Sequence, residues 1–220
     1  MSAPLLESCV ETVAAGAAAP ADGAGRIELC ENLAVGGVTP APAVLAEVRK
    51  RLSIGVFVLI RPRGGDFRYS AQEYEAMRRD VASARELGAD GVVIGGLTAA
   101  GDLDEAGMRR LLDAAEGLPA TFHRAFDAAR DPQAALETLI GLGFRRVLTS
   151  GQAPTAAEGI PVLAALVQQA RGRIGILAGG AIDETNVARI VRETGVTEIH
   201  LRSSRLQRTA RALAARTAAP

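Results

Sequence analysis

IGVFVLIRPRGGDFRYSAQEYEAMRRDVASARELGADGVVIGGL, residues 54–97, holds two short β-like runs with a helix-like segment between them. IGVFVLIR (54–61) and GVVIGGL (91–97) are apolar and rich in β-branched residues, as strands covered on both faces are. SAQEYEAMRRDVASARELG (70–88) reads as a helix with Ser70 as its N-cap and Gly88 as its stop. A strand, a helix and a second strand within about 45 residues mark a parallel βαβ unit. The same alternation extends in both directions, through LLESCV (5–10), RIELC (26–30), PATFHRA (119–125), RRVLTSG (145–151), RIGILAGG (173–180) and TEIHLRS (197–203). DPQAALETLIGLG (131–143) supplies another clear helix, with Asp131 before Pro132 and a terminal glycine. Eight such strands predict an α/β fold, a (β/α)8 TIM barrel with a parallel sheet, although 220 residues is short against a typical ~250. A doubly wound open sheet is the alternative, but no GxGxxG follows the first strand. No linker or charge run divides the chain, so one domain is expected over 1–220, with 203–220 a helical or frayed tail.

Strand parity then separates a face toward the helices from a face toward the barrel axis. With Ile27, Leu29, Phe122, Ile199 and Leu201 turned outward, Arg26, Glu28, Cys30, Thr121 and His123 turn inward, as do Glu198, His200 and Arg202. In the first strand Glu7 and Cys9 face in, and Arg61 and Arg63 share one parity after the third. An ordinary barrel interior is filled by Val, Ile and Leu, so a charged interior calls for internal pairing or for a ligand. A self-satisfied ionic network is one reading. The expected placement of these groups at the strand carboxyl ends, where TIM-barrel sites lie, favours a site.

Composition narrows the classes. The longest apolar runs fall far short of the ~20 residues of a membrane span, and the start MSAPLLESCV lacks a basic segment, so a soluble, unexported protein is expected. Zero net charge leaves no electrostatic footprint for nucleic acid or an acidic membrane. Two cysteines without a CxxC argue against a disulfide framework or zinc ribbon and suit a reducing cytoplasm. Lys50 is the only lysine and sits in the helical stretch APAVLAEVRKRL, a poor place for Schiff-base chemistry.

RIELCENLAVGGVTP (26–40), RPRGGDFRYS (61–70), TFHRAFD (121–127), LTSG (148–151), LAGGAI (177–182) and EIH (198–200) together resemble the copper homeostasis protein CutC family, in order along nearly the whole chain. The resemblance implies a cytoplasmic TIM barrel concerned with copper binding and copper homeostasis. It further implies a polar mouth formed by Glu7, Glu28, Arg61, Arg63, Asp66, His123, Arg124, Asp127, Ser150, Glu198 and His200, with Cys9 and Cys30 at family cysteine positions. The chain departs from the family at ESCVE, where a second adjacent cysteine is frequent, and in LRSSRLQRTAR after His200.

Three functions follow as expectations. Cu(I) prefers thiolate, thioether and imidazole, and neighbouring strands about 4.8 Å apart would bring Cys9 and Cys30 to one ion as a linear pair. Buried packing is the plain alternative for both thiols. A second expectation is an enzyme of isomerase, epimerase or lyase type, or a sensor, acting on a small phosphorylated or carboxylate metabolite. His123 or His200 would be its general base, Glu28 or Glu198 would orient that base, and Arg61 and Arg63 would stabilise negative charge. Gly179 and Gly180, with Arg202 to Arg205, occupy the loops where barrel phosphate sites form, although paired glycines also serve close packing. The Arg61 to Asp66 loop reads either as anion-binding or as an Arg–Asp pair that pins itself. A divalent ion on Glu and His fits the residues, but HExxH and EF-hand patterns are absent, and Ser150 lacks a GxSxG elbow. Homodimerisation, the third expectation, has no feature that locates an interface.

Overall fold

The computed structural model describes residues 3–217 and closes eight parallel strands into a barrel in sequence order. The strands are β1 (Leu5–Val10), β2 (Arg26–Leu29), β3 (Gly55–Leu59), β4 (Gly91–Ile94), β5 (Ala120–Phe122), β6 (Arg146–Thr149), β7 (Gly175–Gly179) and β8 (Glu198–Arg202). Each is followed by a helix: α1 (Val13–Ala18), α2 (Pro42–Arg49), α3 (Ala71–Glu86), α4 (Glu105–Ala115), α5 (Pro132–Leu142), α6 (Ile160–Ala170), α7 (Val187–Thr194) and α8 (Ser203–Thr217). The architecture is a TIM barrel. Pairing of β8 with β1, Glu198 opposite Leu5 and His200 opposite Glu7, leaves no sheet edge exposed. The tail is helical in α8 as far as Thr217; residues 218–220 lie outside the described part. No helix among the described residues is long and apolar enough to cross a membrane.

The helix signals act as their chemistry dictates. Ser70 accepts from the Glu73 amide while the Glu73 carboxylate accepts from the Ser70 amide, a capping box that satisfies two amides at the start of α3. Gly88 closes that helix at φ +83°, where a side chain would be strained. Asp131 caps α5 through the Gln133 and Ala134 amides, with Pro132 in the first turn. Lys50 ends α2 exposed and paired with Glu47, well apart from the barrel interior.

Outward strand residues such as Ile27, Val58, Phe122, Val147 and Ile199 pack with the helices into one continuous apolar shell. The inner layer is different in kind. Its apolar members are few, with Cys9, Cys30, Phe57, Leu59 and Val93 forming a separate small cluster. Around Phe57 the floor of the barrel is ionic: Arg26 and Arg146 place their guanidinium carbons 5.2 and 4.7 Å from the ring centre. The ring also explains Gly91, because a Cβ there would collide with Phe57.

Candidate functional site

The interior is stacked in tiers. On the floor, Arg26 bonds Glu7 on one side and Glu198 on the other, and Arg146 lies 3.2 Å from Glu198. Arg26, Arg146 and Glu198 begin their strands, and Glu7 lies two residues into β1. The expectation that the charged cluster lies at the carboxyl ends is corrected for the floor residues: register sets Glu198 at the amino end of β8, two residues below His200. Glu198 meets arginines and orients no histidine. Arg146, the first residue of β6, belongs to this floor and was missed, although the alternation Arg146, Leu148, Ser150 carries its inward phase.

His200 joins the floor to the tier above. Its Nδ1 lies 2.8 Å from Glu7 Oε1 and its Nε2 3.5 Å from Glu28 Oε2. Burial alone would raise the Glu7 carboxyl; the His200 hydrogen bond and the Arg26 and His200 charges outweigh it and bring its pKa down to about 2. Burial opposes protonation of His200, but the charge of Glu28 and the bond to Glu7 raise its pKa above the usual histidine value. Glu28 itself is pushed up by burial, against the pull of His200.

Beside this pair the two thiols meet. Cys9 and Cys30 are buried and free, with their sulfurs 3.3 Å apart, and the Cys30 thiol also reaches the Val10 carbonyl at 3.6 Å. Cys9 Sγ, a Glu28 oxygen and a His200 nitrogen all lie within 4.8 Å of one another. Hydrogen bonding to Cys30, burial and the neighbouring Glu28 charge raise the Cys9 thiol well above its ordinary pKa.

Above the thiols opens a cavity of about 640 Å³ at the carboxyl end of the barrel. Arg61 and His123 form part of its wall. The Arg61 guanidinium donates to the carbonyls of Val35, Gly37 and Gly65, packs 4.9 Å over the Phe67 ring, and leaves its buried Nε without a partner. His123 Nδ1 accepts the Ala125 amide at 3.1 Å, so the neutral ring carries its proton on Nε2. Burial and the nearby Arg61 charge lower the pKa of His123 to about 3, and its buried Nε2 has no partner. His123 is thus an N–H donor toward the cavity; the expectation that it serves as general base is corrected. A Cβ on Gly95 would stand 2.5 Å from this ring, so only glycine leaves the imidazole its place.

The other expected residues divide. Arg124 lines the cavity and is held by Asp127 at 2.7 Å and by the Ser150 hydroxyl at 2.8 Å. Asp127 also accepts from Thr149, Ser150 and Gln152, and Ser150 donates to the Ala153 carbonyl, so both organise the loop under Arg124. Arg63 turns away from the mouth: it pairs with Asp66 at 3.0 Å and Glu73 at 2.6 Å and stacks on Tyr69. The loop pins itself, because alternation stops once β3 ends at Leu59 and Pro62 follows. A Cβ on Gly179 would lie 3.2 Å from His200 Cβ, which makes this residue a packing glycine, whereas Gly180 lines the cavity. Arg202, Asp183 and Arg205 lie on the same rim.

Comparison with known proteins gives a consistent set of relatives. The sequence signature of the CutC family matches residues 4–205. A mouse protein named "Copper homeostasis protein cutC homolog" is 50% identical over 203 residues, covering 91% of this chain and 75% of its own. A family protein CutC of Bacteroides thetaiotaomicron is 51% identical over 195 residues, covering 88% of this chain and 78% of its own. The crystal structure of the putative copper homeostasis protein CutC from Streptococcus agalactiae superimposes with a TM-score of 0.87 at 38% identity, covering 91% of this chain and 98% of that one.

Proposed function

The chain belongs to the CutC family, and we propose that it binds Cu(I) in the reducing cytoplasm, at the thiol tier of the barrel, as part of copper homeostasis. The observation that carries this reading is the convergence of donors: two thiols 3.3 Å apart, with Glu28 and His200 donors in the same cluster as Cys9. The donor set fits a soft ion, since thiolate and imidazole are what Cu(I) selects. The separation does not fit the linear pair expected from sequence. With bonds of about 2.3 Å, the zinc–thiolate length taken as a scale, two sulfurs in a line stand ~4.6 Å apart. At 3.3 Å the thiols suit a bent pair, and the further donors gathered about Cys9 are Glu28 and His200, a group that Cys30 itself does not join. Glu7 at Nδ1 fixes the tautomer that leaves Nε2 for the metal, the carboxylate–histidine arrangement common behind metal ligands.

The test is an anaerobic Cu(I) titration of the reduced protein against a competing chelator, with the Cys9→Ser, Cys30→Ser double variant alongside. One equivalent bound tightly by the native chain and lost in the variant is the expected result. Binding that is equal in both proteins refutes the assignment.

A further inference from the structure

One cuprous ion at the thiols would leave most of the 640 Å³ cavity above them without a role, and that volume lies in the range of pockets for small organic ligands. The charge of the mouth is also unbalanced. Below it, Arg26 and Arg146 answer Glu7 and Glu198, and His200 answers Glu28. At the mouth Arg124 answers Asp127. Three guanidinium groups remain without a carboxylate partner: Arg61, held by carbonyls and beside the Tyr69 hydroxyl, and Arg202 and Arg205, whose side chains make no hydrogen bond or ion pair with other described residues. The carboxylate facing them is Asp183, itself held by the Thr185 amide and hydroxyl and under the influence of Arg205. Three positive charges against one leave an excess of two. A buried donor on the same cavity, His123 Nε2, has no partner, and leaving such a group unmade costs about 1–3 kcal/mol unless a ligand completes it.

We propose that the mouth of the barrel binds a small phosphate monoester, its phosphate between Arg202 and Arg205 and an oxygen of its organic part reaching inward to His123. A phosphate monoester carries about −1.5 to −2 charge at neutral pH, which matches the excess of the rim. Arg202 ends β8 and α8 begins at Ser203, so the phosphate meets a helix start as well as two forked guanidinium groups. Leu33, Phe67 and Ile182 supply apolar wall for the carbon part. The imidazole meets it as a fixed donor, because the Ala125 amide holds the ring and Phe67 stacks 5.1 Å away. The thiols form the base of the same cavity, so a bound phosphate ester would cover the metal tier.

The experiment is calorimetric titration of the full chain near neutral pH with inorganic phosphate, glycerol 3-phosphate and, as an uncharged control, glycerol. Glycerol 3-phosphate is expected to bind, and more tightly than inorganic phosphate. Arg202→Gln with Arg205→Gln should weaken both phosphates at least about tenfold, as loss of charge-assisted bonds requires. His123→Phe should remove the advantage of the ester over phosphate while leaving phosphate binding in place. Arg78→Gln, at an exposed helix pair with Glu75, controls for general charge. No heat from either phosphate up to about 10 mM, or binding unchanged in the double arginine variant, overturns the proposal. Cys9→Ser with Cys30→Ser separates this site from the copper reading, since it abolishes metal uptake and spares phosphate binding.

Discussion

Replacing Glu7 by Gln removes the charge that joins the ionic floor to His200. The native carboxylate is 1% exposed; one oxygen accepts from Arg26 and the other lies 2.8 Å from His200 Nδ1. Its pKa falls from 4.5 to about 2 in the fold. A shift of this size, at about 1.36 kcal/mol per unit, is worth ~3 kcal/mol of stability at neutral pH. Removing one partner of a buried ion pair costs about 3–5 kcal/mol, so two routes reach the same scale. The sign follows from linkage. Between pH 4.5 and about 2 the unfolded chain takes up a proton at Glu7 that the folded chain does not, so the stabilisation is full above 4.5 and is lost as the pH falls toward 2. Urea unfolding followed by circular dichroism, the chain having no tryptophan, should give a difference of ~3 kcal/mol between native and Glu7→Gln at neutral pH. The difference should shrink to about half or less by about pH 3. In the native protein the raised pKa of His200 contributes stability that is present below 6.5 and lost as the pH rises through its folded value, and this alkaline loss should diminish in the variant. A neutral-pH difference under about 1 kcal/mol, or one that is the same at about pH 3, would refute the account of the floor.

Two further outcomes follow from the same geometry. Cu(I) must displace the proton from the Cys9 thiol, whose pKa is raised by its bond to Cys30 and by burial, so apparent affinity should climb at least about tenfold per pH unit from mildly acid to neutral conditions; a pH-independent affinity in the chelator assay contradicts that. Gly95→Ala places a methyl 2.5 Å from the His123 ring and should destabilise the protein by about 1–3 kcal/mol in urea, whereas a change within about 0.3 kcal/mol would mean that the ring moves freely.

Much of this was legible in the sequence, and the reason differs from residue to residue. All eight strands stand where apolar runs between helix signals put them, because in a parallel barrel every strand is covered and must be apolar on its outer face. Parity correctly turned Glu7, Glu28, Cys30, His123 and His200 inward, since the pleat admits two faces only. Height along the barrel axis was not legible. A strand pattern says in or out, but the stagger between strands sets which inward residues share a tier, so Glu198 and His200 looked equivalent although one joins the floor and the other the thiol tier. Arg63 went astray where the strand ended. The protonation state of His123 was equally hidden, since the Ala125 amide that fixes its tautomer and the Arg61 charge that lowers its pKa meet it only in the fold.

The charged interior is the feature that ties stability to site chemistry. A Val, Ile and Leu core would hold a barrel of this size without the desolvation that buried arginines and glutamates incur. What the ionic floor adds is a defined partner for each successive group: Arg146 beside Glu198, Glu198 on Arg26, Arg26 on Glu7, Glu7 on His200, and His200 beside Glu28 and the thiols. Each link fixes a rotamer or a proton of the next, so the Nε2 face of His200 is set by residues at the opposite end of the barrel. A substitution at Arg146, remote from the mouth, should therefore act on the thiol tier through the orientation and protonation of His200. An apolar floor of the same shape could not transmit that effect.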